Sequence, residues 1–179
     1  MATPTTLPAT FVSGNVLTAA QLNDLRGAFR VLQVVEANKL DVFSTSSSSY
    51  VDVTGWTATI TPSATTSKIL VVYSATTSVN GGTYTGFQIV RGSTAIGNGT
   101  ASGGRVAANK AYYDAAASGG ESIYGSFLDS PSTTSATTYK MQVKNHTTNT
   151  LYVGATFTNV DNAACYSTLT NITLMEISA

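Results

Sequence analysis

The residues able to do acid, base or nucleophilic chemistry are few in this chain and far apart. His146 is its single histidine and Cys165 its single cysteine. His146 falls in "KNHTTN", a run of turn-forming polar residues, where a histidine bonded within its own loop is expected rather than a general base. Cys165 has no nucleophile motif around it, and one cysteine cannot build an internal disulfide framework. The acids Asp52, Asp114, Glu121, Asp129 and Glu176 fall in different segments. A glycosidase pair would have to be assembled by the fold, and no spacing points to one. Zinc needs clustered His and Cys and calcium an Asp-rich loop, so no metal or cofactor is expected. "GNGTASGG" (97–104) lacks both the G-x-G-x-x-G order and the Lys-Ser/Thr pair of a phosphate loop, and reads as a surface loop.

The chemistry that is plentiful belongs to contact surfaces. Of the 9 tyrosines, Tyr84, Tyr112, Tyr113 and Tyr166 lie close to Gly- and Asn-rich stretches. Tyr beside Gly, Ser and Asn offers broad amphipathic rings at low entropic cost, the composition of binding loops. The same tyrosines could instead edge a β-sandwich core and face a neighbouring subunit. Asn80, Tyr84, Arg105, Tyr112 and Tyr113 are the candidate ligand-facing residues on this composition. No catalytic residues are assigned, and the chain is not expected to be an enzyme.

Something must position these loops, and after residue 30 the texture is that of strands. "YVDVTGWTATITPS" alternates with period 2, is broken at Gly55 and is stopped by Pro62. In "SKILVVYSATTSV", Ile69 to Tyr73 is apolar without alternation, as for a strand covered on both faces. "NGG" (80–82) signals a turn, and Gly92-Ser93 joins two strands tightly. Residues 98–120 are weakly patterned, with a strand expected near Tyr112 and Tyr113. "ESIYGSFLDSP" sets Ile123, Gly125 and Phe127 against Tyr124, Ser126 and Leu128. "SATTYKMQVKNHTTNTLYVGA" reads as a hairpin with Tyr139, Met141 and Val143 on one face. "STLTNITLMEISA" reads as a central closing strand, because pairing on both sides ties down an end. Many short strands without intervening helices predict an antiparallel jelly-roll β-sandwich over residues 31–179.

The first 30 residues differ. Residues 1–17, with Pro4 and Pro8, read as an extended arm. Residues 18–30 read as one short helix: Thr18 and Gln21 form a capping box, and Leu17 and Leu22 a hydrophobic staple. Leu22, Leu25, Phe29 and Leu32 follow the 3-4-3 spacing of a coiled-coil seam. So short a helix is marginal alone in water and needs a partner surface.

Composition narrows the partners. Charged residues are 10% of the 179 and formal net charge is +0, against roughly 25% charged in ordinary soluble domains. Such a surface does not attract phosphate backbones, so nucleic-acid binding is not expected, and it offers little repulsion between copies. No apolar run approaches the roughly 20 residues of a membrane-spanning helix, and membrane insertion is not expected. The start "MATPTTLPATF" lacks the basic and apolar regions of a secretion signal, which implies synthesis in a cytoplasm.

With these residues in view, the chain resembles tailed-bacteriophage fibre and appendage proteins of the minor-tail or head-fibre/decoration type. "FVSGNVLTAAQLNDLRGAF" is similar to the phage segment of an aromatic residue, a Gly and "LTAAQLN" that opens many virion appendage proteins. "VFSTSSSSYVDVTGWTATITPSATTSKILVV", "IVRGSTAIG", "SFLDSPSTTSATTYKMQV" and "ITLMEISA" resemble their β-rich heads, which are similar to trimeric knobs of the tumour-necrosis-factor/complement type. The resemblance implies a homotrimeric virion component, anchored to capsid or tail proteins through its arm and helix. Phe11, Val12, Leu17, Leu22, Leu25, Phe29 and Leu32 would be the attachment and trimer interface, and a host-surface glycan or protein the ligand. A capsid decoration (cement) protein is the alternative, and a carbohydrate-binding lectin or glycan-active enzyme a more distant one.

Overall fold

The computed structural model describes Val16 and residues 31–115, 120–156 and 160–178. Apart from Val16, the expected arm and helix lie outside the described residues, and with them Phe11, Val12, Leu17, Leu22, Leu25 and Phe29. The described chain is mainly β, with β1 (Val31–Lys39), β2 (Phe43–Thr45), β3 (Val51–Ile60), β4 (Lys68–Val79), β5 (Thr83–Arg91) and β6 (Thr94–Ile96) followed by β7 (Lys110–Asp114), β8 (Glu121–Asp129), β9 (Thr137–Asn145), β10 (Leu151–Val153) and β11 (Thr170–Ile177).

These strands form two antiparallel sheets. One runs β1-β11-β4-β10-β2 with β8 also on β4, and the other runs β3-β9-β5-β6 with β7 also on β5. β4 takes β11 along Lys68–Ser74 and β10 along Thr77–Val79, with β8 opposite Ile69–Thr77. β11 is therefore central, between β1 and β4, as its sequence predicts.

Alternation fixes which residues meet between the sheets. Ile69, Val71 and Tyr73 of β4 and Ile172 and Leu174 of β11 face Trp56, Phe87, Ile89, Tyr139 and Met141 of the other sheet in one core. β4 alternates more strongly than its sequence suggests: Leu70 and Val72 turn to the outer face and are only half-buried. Gly55, at φ +84°, lies where β3 shifts register between Asp52 and Thr57, a bulge that favours glycine. Leu32, read from sequence as the last seam position of a helix, instead lies in β1 at a register shift between Val31 and Gln33. Pairing with β11 overrides the helical spacing there.

Two turns that look like hairpins carry the chain from one sheet to the other. Residues 80–82 lead from β4 to β5, and residues 146–150 lead from β9 to β10. They brace each other: Asn80 N–H donates to the Thr150 carbonyl at 3.1 Å, and Thr150 N–H to Asn80 Oδ1 at 2.8 Å. Polar bonds also clamp the layers. Trp56 Nε1 donates to the Asn171 carbonyl at 2.7 Å, and Asp129 of β8 accepts from Arg91 of β5 and Tyr139 of β9 at 2.7–2.9 Å. Burial, then the neighbouring Asp129 carboxylate, push the Tyr139 phenol far above its ordinary pKa.

Candidate functional site

Two surfaces carry chemistry that the core does not use, one on the outer side of each sheet. The first is a groove of about 600 Å³ over β5, β7 and β9. It exists because outward positions on adjacent strands alternate between large rings and the smallest side chains. Tyr84 pairs with Tyr113, and the next outward pair is Gly86 with Ala111. The two tyrosine rings lie 4.5 Å apart between centroids, and His146 meets Tyr84 edge-on at 6.1 Å. Backbone geometry sets that histidine, since His146 N–H donates to the Tyr84 carbonyl at 2.8 Å.

The other walls come from Tyr50, Lys144 and the β6–β7 loop. Tyr50 Oη donates to the Ala107 carbonyl at 2.8 Å, tying that loop to the sheet, and burial raises its pKa, so it stays a neutral phenol. Lys144 Nζ lies 5.7 Å from the Tyr50 ring centroid, a cation–π contact. The loop brings Arg105 and Val106 to the rim. Tyr84 and Val106 are 62% and 61% exposed, so the apolar wall faces solvent.

The second surface is the outer face of the six-stranded sheet. Its register lines up Val34 of β1, Met175 of β11, Leu70 of β4 and Leu128 of β8 in one row. Val34 and Leu128 are more than half exposed, at 56% and 53%. Ile177 and Val31 adjoin this row on the side where the chain arrives from residue 30. On the far side the face turns polar: Glu36, Thr173 and Ser126 flank Val72, and beyond them Ser74 Oγ donates to Asn171 Oδ1 at 2.8 Å.

Of the candidate ligand-facing residues, the groove brings together Tyr84 and Arg105; Tyr113 stacks on Tyr84 without lining the groove. Tyr112 is a correction. Neighbours on a strand face opposite ways, so with Tyr113 outward Tyr112 points inward, stacks on Phe87 at 6.0 Å and bonds Thr77 at 2.9 Å. Asn80 is another, since it braces the two crossing turns and does not line the groove. Loop composition does not single out Tyr50, Gly86, Lys144 or His146 for this site. The inward set Tyr139, Met141 and Val143 does imply an outward Lys144, but no local signal marks Tyr50 or Gly86.

Among the described residues no group of three or more His, Cys, Asp or Glu could hold a metal ion, and no helix is long and apolar enough to cross a membrane.

No protein-family model and no curated protein matches the chain. Among solved structures, a chain in the structure of infectious bursal disease virus Gx strain is similar over 96% of this chain, at 13% identity and a TM-score of 0.45. This chain spans 42% of the length of that one. Likeness of that degree assigns neither family nor role.

Proposed function

We propose that the chain is a structural component of a bacteriophage virion, a non-enzymatic homotrimeric fibre or appendage protein. Its arm and helix anchor it to capsid or tail proteins, and its β domain projects as a knob toward the host surface. The observation that carries this reading is the apolar row Val34–Met175–Leu70–Leu128, at the end of the sheet where the chain arrives from residue 30. Two further copies are the occupant that fits. A trimer buries this row, and it gives Leu22, Leu25 and Phe29 in the segment just before β1 two partners each. The strand order supports a jelly roll of the knob type: β1-β11-β4-β8 lie in one sheet and β3-β9-β5-β6 in the other, with the chain crossing repeatedly between them.

Sedimentation of the full chain tests the assembly. The expected species is a trimer at micromolar concentration, converted to monomer by Leu70→Lys, which presses a charge into the apolar row. A wild-type chain that stays monomeric sinks the trimer. Immunogold labelling of intact particles tests the role. Label at the tail or a single vertex is expected, label spread over the head makes the protein a shell decoration, and unlabelled particles refute the virion reading. The paired substitution Leu22→Asp, Leu25→Asp should abolish incorporation, and normal incorporation would free the helix of its anchoring role.

A further inference from the structure

The groove on the five-stranded sheet has a charge character that its position on a knob does not require. Its floor, Gly86 and Ala111, is kept low on purpose by residue size: a Cβ at residue 86 would lie 3.0 Å from Tyr50 Oη and 3.5 Å from Lys144 Cγ. Two cations, Arg105 and Lys144, stand at its edge, and among the described residues no acidic one lines it. The ion pairs of the described residues are Lys39–Asp41, Arg91–Asp129 and Lys140–Asp52, so neither groove cation has a carboxylate partner there. An open recess with aromatic walls and unneutralised cations complements a ligand that carries an apolar face and a negative charge on one small scaffold.

We infer that this groove binds a carboxylate-bearing saccharide. The C–H face of a pyranose ring lies on Tyr84, whose ring Tyr113 braces at 4.5 Å, and the sugar carboxylate reaches Arg105 and Lys144. Arg105 offers the planar fork that matches a carboxylate, Lys144 a point charge, and Tyr50 a neutral phenol for the ring hydroxyls. The Pro-containing arm of a neighbouring copy, residues 1–17, would also suit tyrosine walls. It contains no acidic residue and would cover both cations without neutralising them, which disfavours it. This inference rests on the reading that the knob is displayed toward a host surface.

The test is calorimetric titration of the full chain with oligogalacturonate and with an oligomer of sialic acid, against a neutral galactose oligomer and a peptide of residues 1–17. Either acidic oligomer is expected to bind about tenfold or more tightly than the neutral one, the scale of one charge-assisted hydrogen bond. The double variant Arg105→Gln, Lys144→Gln should lose that preference while retaining the neutral oligomer's weak binding. Tyr84→Ala should weaken every saccharide by about tenfold through loss of stacking. Equal binding of acidic and neutral oligomers, no binding of either acidic one, tighter binding of the peptide, or a preference that survives in the double variant overturns the inference. Light scattering on the same samples separates the two readings. A trimer that binds no acidic saccharide loses the ligand and keeps the assembly, whereas a saccharide-binding monomer does the reverse.

Discussion

Glu176 points inward from β11 with none of its surface exposed, yet its neighbours favour the charged form. Burial by itself would raise the carboxyl pKa, but hydrogen bonds from Ser63, Ser67 and Gln33 outweigh it and bring the value down from 4.5 to about 2. Ser63 donates to Oε1 from both its N–H and its hydroxyl, at 2.7 and 2.6 Å, and Gln33 Nε2 donates to Oε2 at 2.6 Å. One carboxylate thus ties β1 and the β3–β4 loop to the closing strand. Because the folded value lies below the unfolded one, this contribution is complete above about pH 4.5, shrinks as pH falls and is gone near pH 2. Glu176→Gln should cost on the order of 2–4 kcal/mol in urea unfolding at pH 7. It should also flatten the loss of stability between pH 5 and pH 2. An unchanged pH profile in the variant would show that the bonds contribute nothing.

At the scale of elements, β4 and β8 meet through a glycine that has little to do with turns. Gly125 lies directly opposite Tyr73 in the ladder, and a Cβ there would fall 2.6 Å from the Tyr73 hydroxyl. Tyr73 cannot easily give way, because its hydroxyl bonds Asn109 and its ring packs edge-on to Trp56 at 6.0 Å. Burial pushes that phenol up to about 12, so it remains a donor to Asn109 over the whole physiological range. Gly125→Ala should therefore destabilise the fold by about 1–3 kcal/mol as overpacking, measured by chemical denaturation, and a neutral result would place Tyr73 on a softer footing. The inward face of β8, with Ile123, Gly125 and Phe127, was legible from alternation alone. The two crossing turns were not. "NGG" and "KNHTTN" announce that the chain reverses, but a local signal cannot say whether the next strand pairs with the last or joins the opposite sheet. Register and core packing choose that.

The molecule as a whole has an apolar face on one side, a cation-edged groove on the other and no net charge. If folding and assembly are coupled, the midpoint of thermal unfolding should rise with protein concentration in the wild type. It should become independent of concentration in Leu70→Lys, whose inward core is untouched. A wild-type midpoint constant over a hundredfold range of concentration, an order-of-magnitude span ample for such linkage, would separate folding from association.

The sequence by itself determined the strand content, the inward residues of β8 and β9, the central place of β11 and two of the groove residues. Each follows from period-2 alternation, from tying down a chain end or from the company tyrosines keep. Tertiary structure alone decided that Tyr113 faces out and Tyr112 in, that Leu32 joins a strand, and that Gly86, Tyr50 and Lys144 meet at one groove. It also aligned Val34, Met175, Leu70 and Leu128. Those residues come from four strands, and only a fixed register, which no single strand carries, brings them into one row.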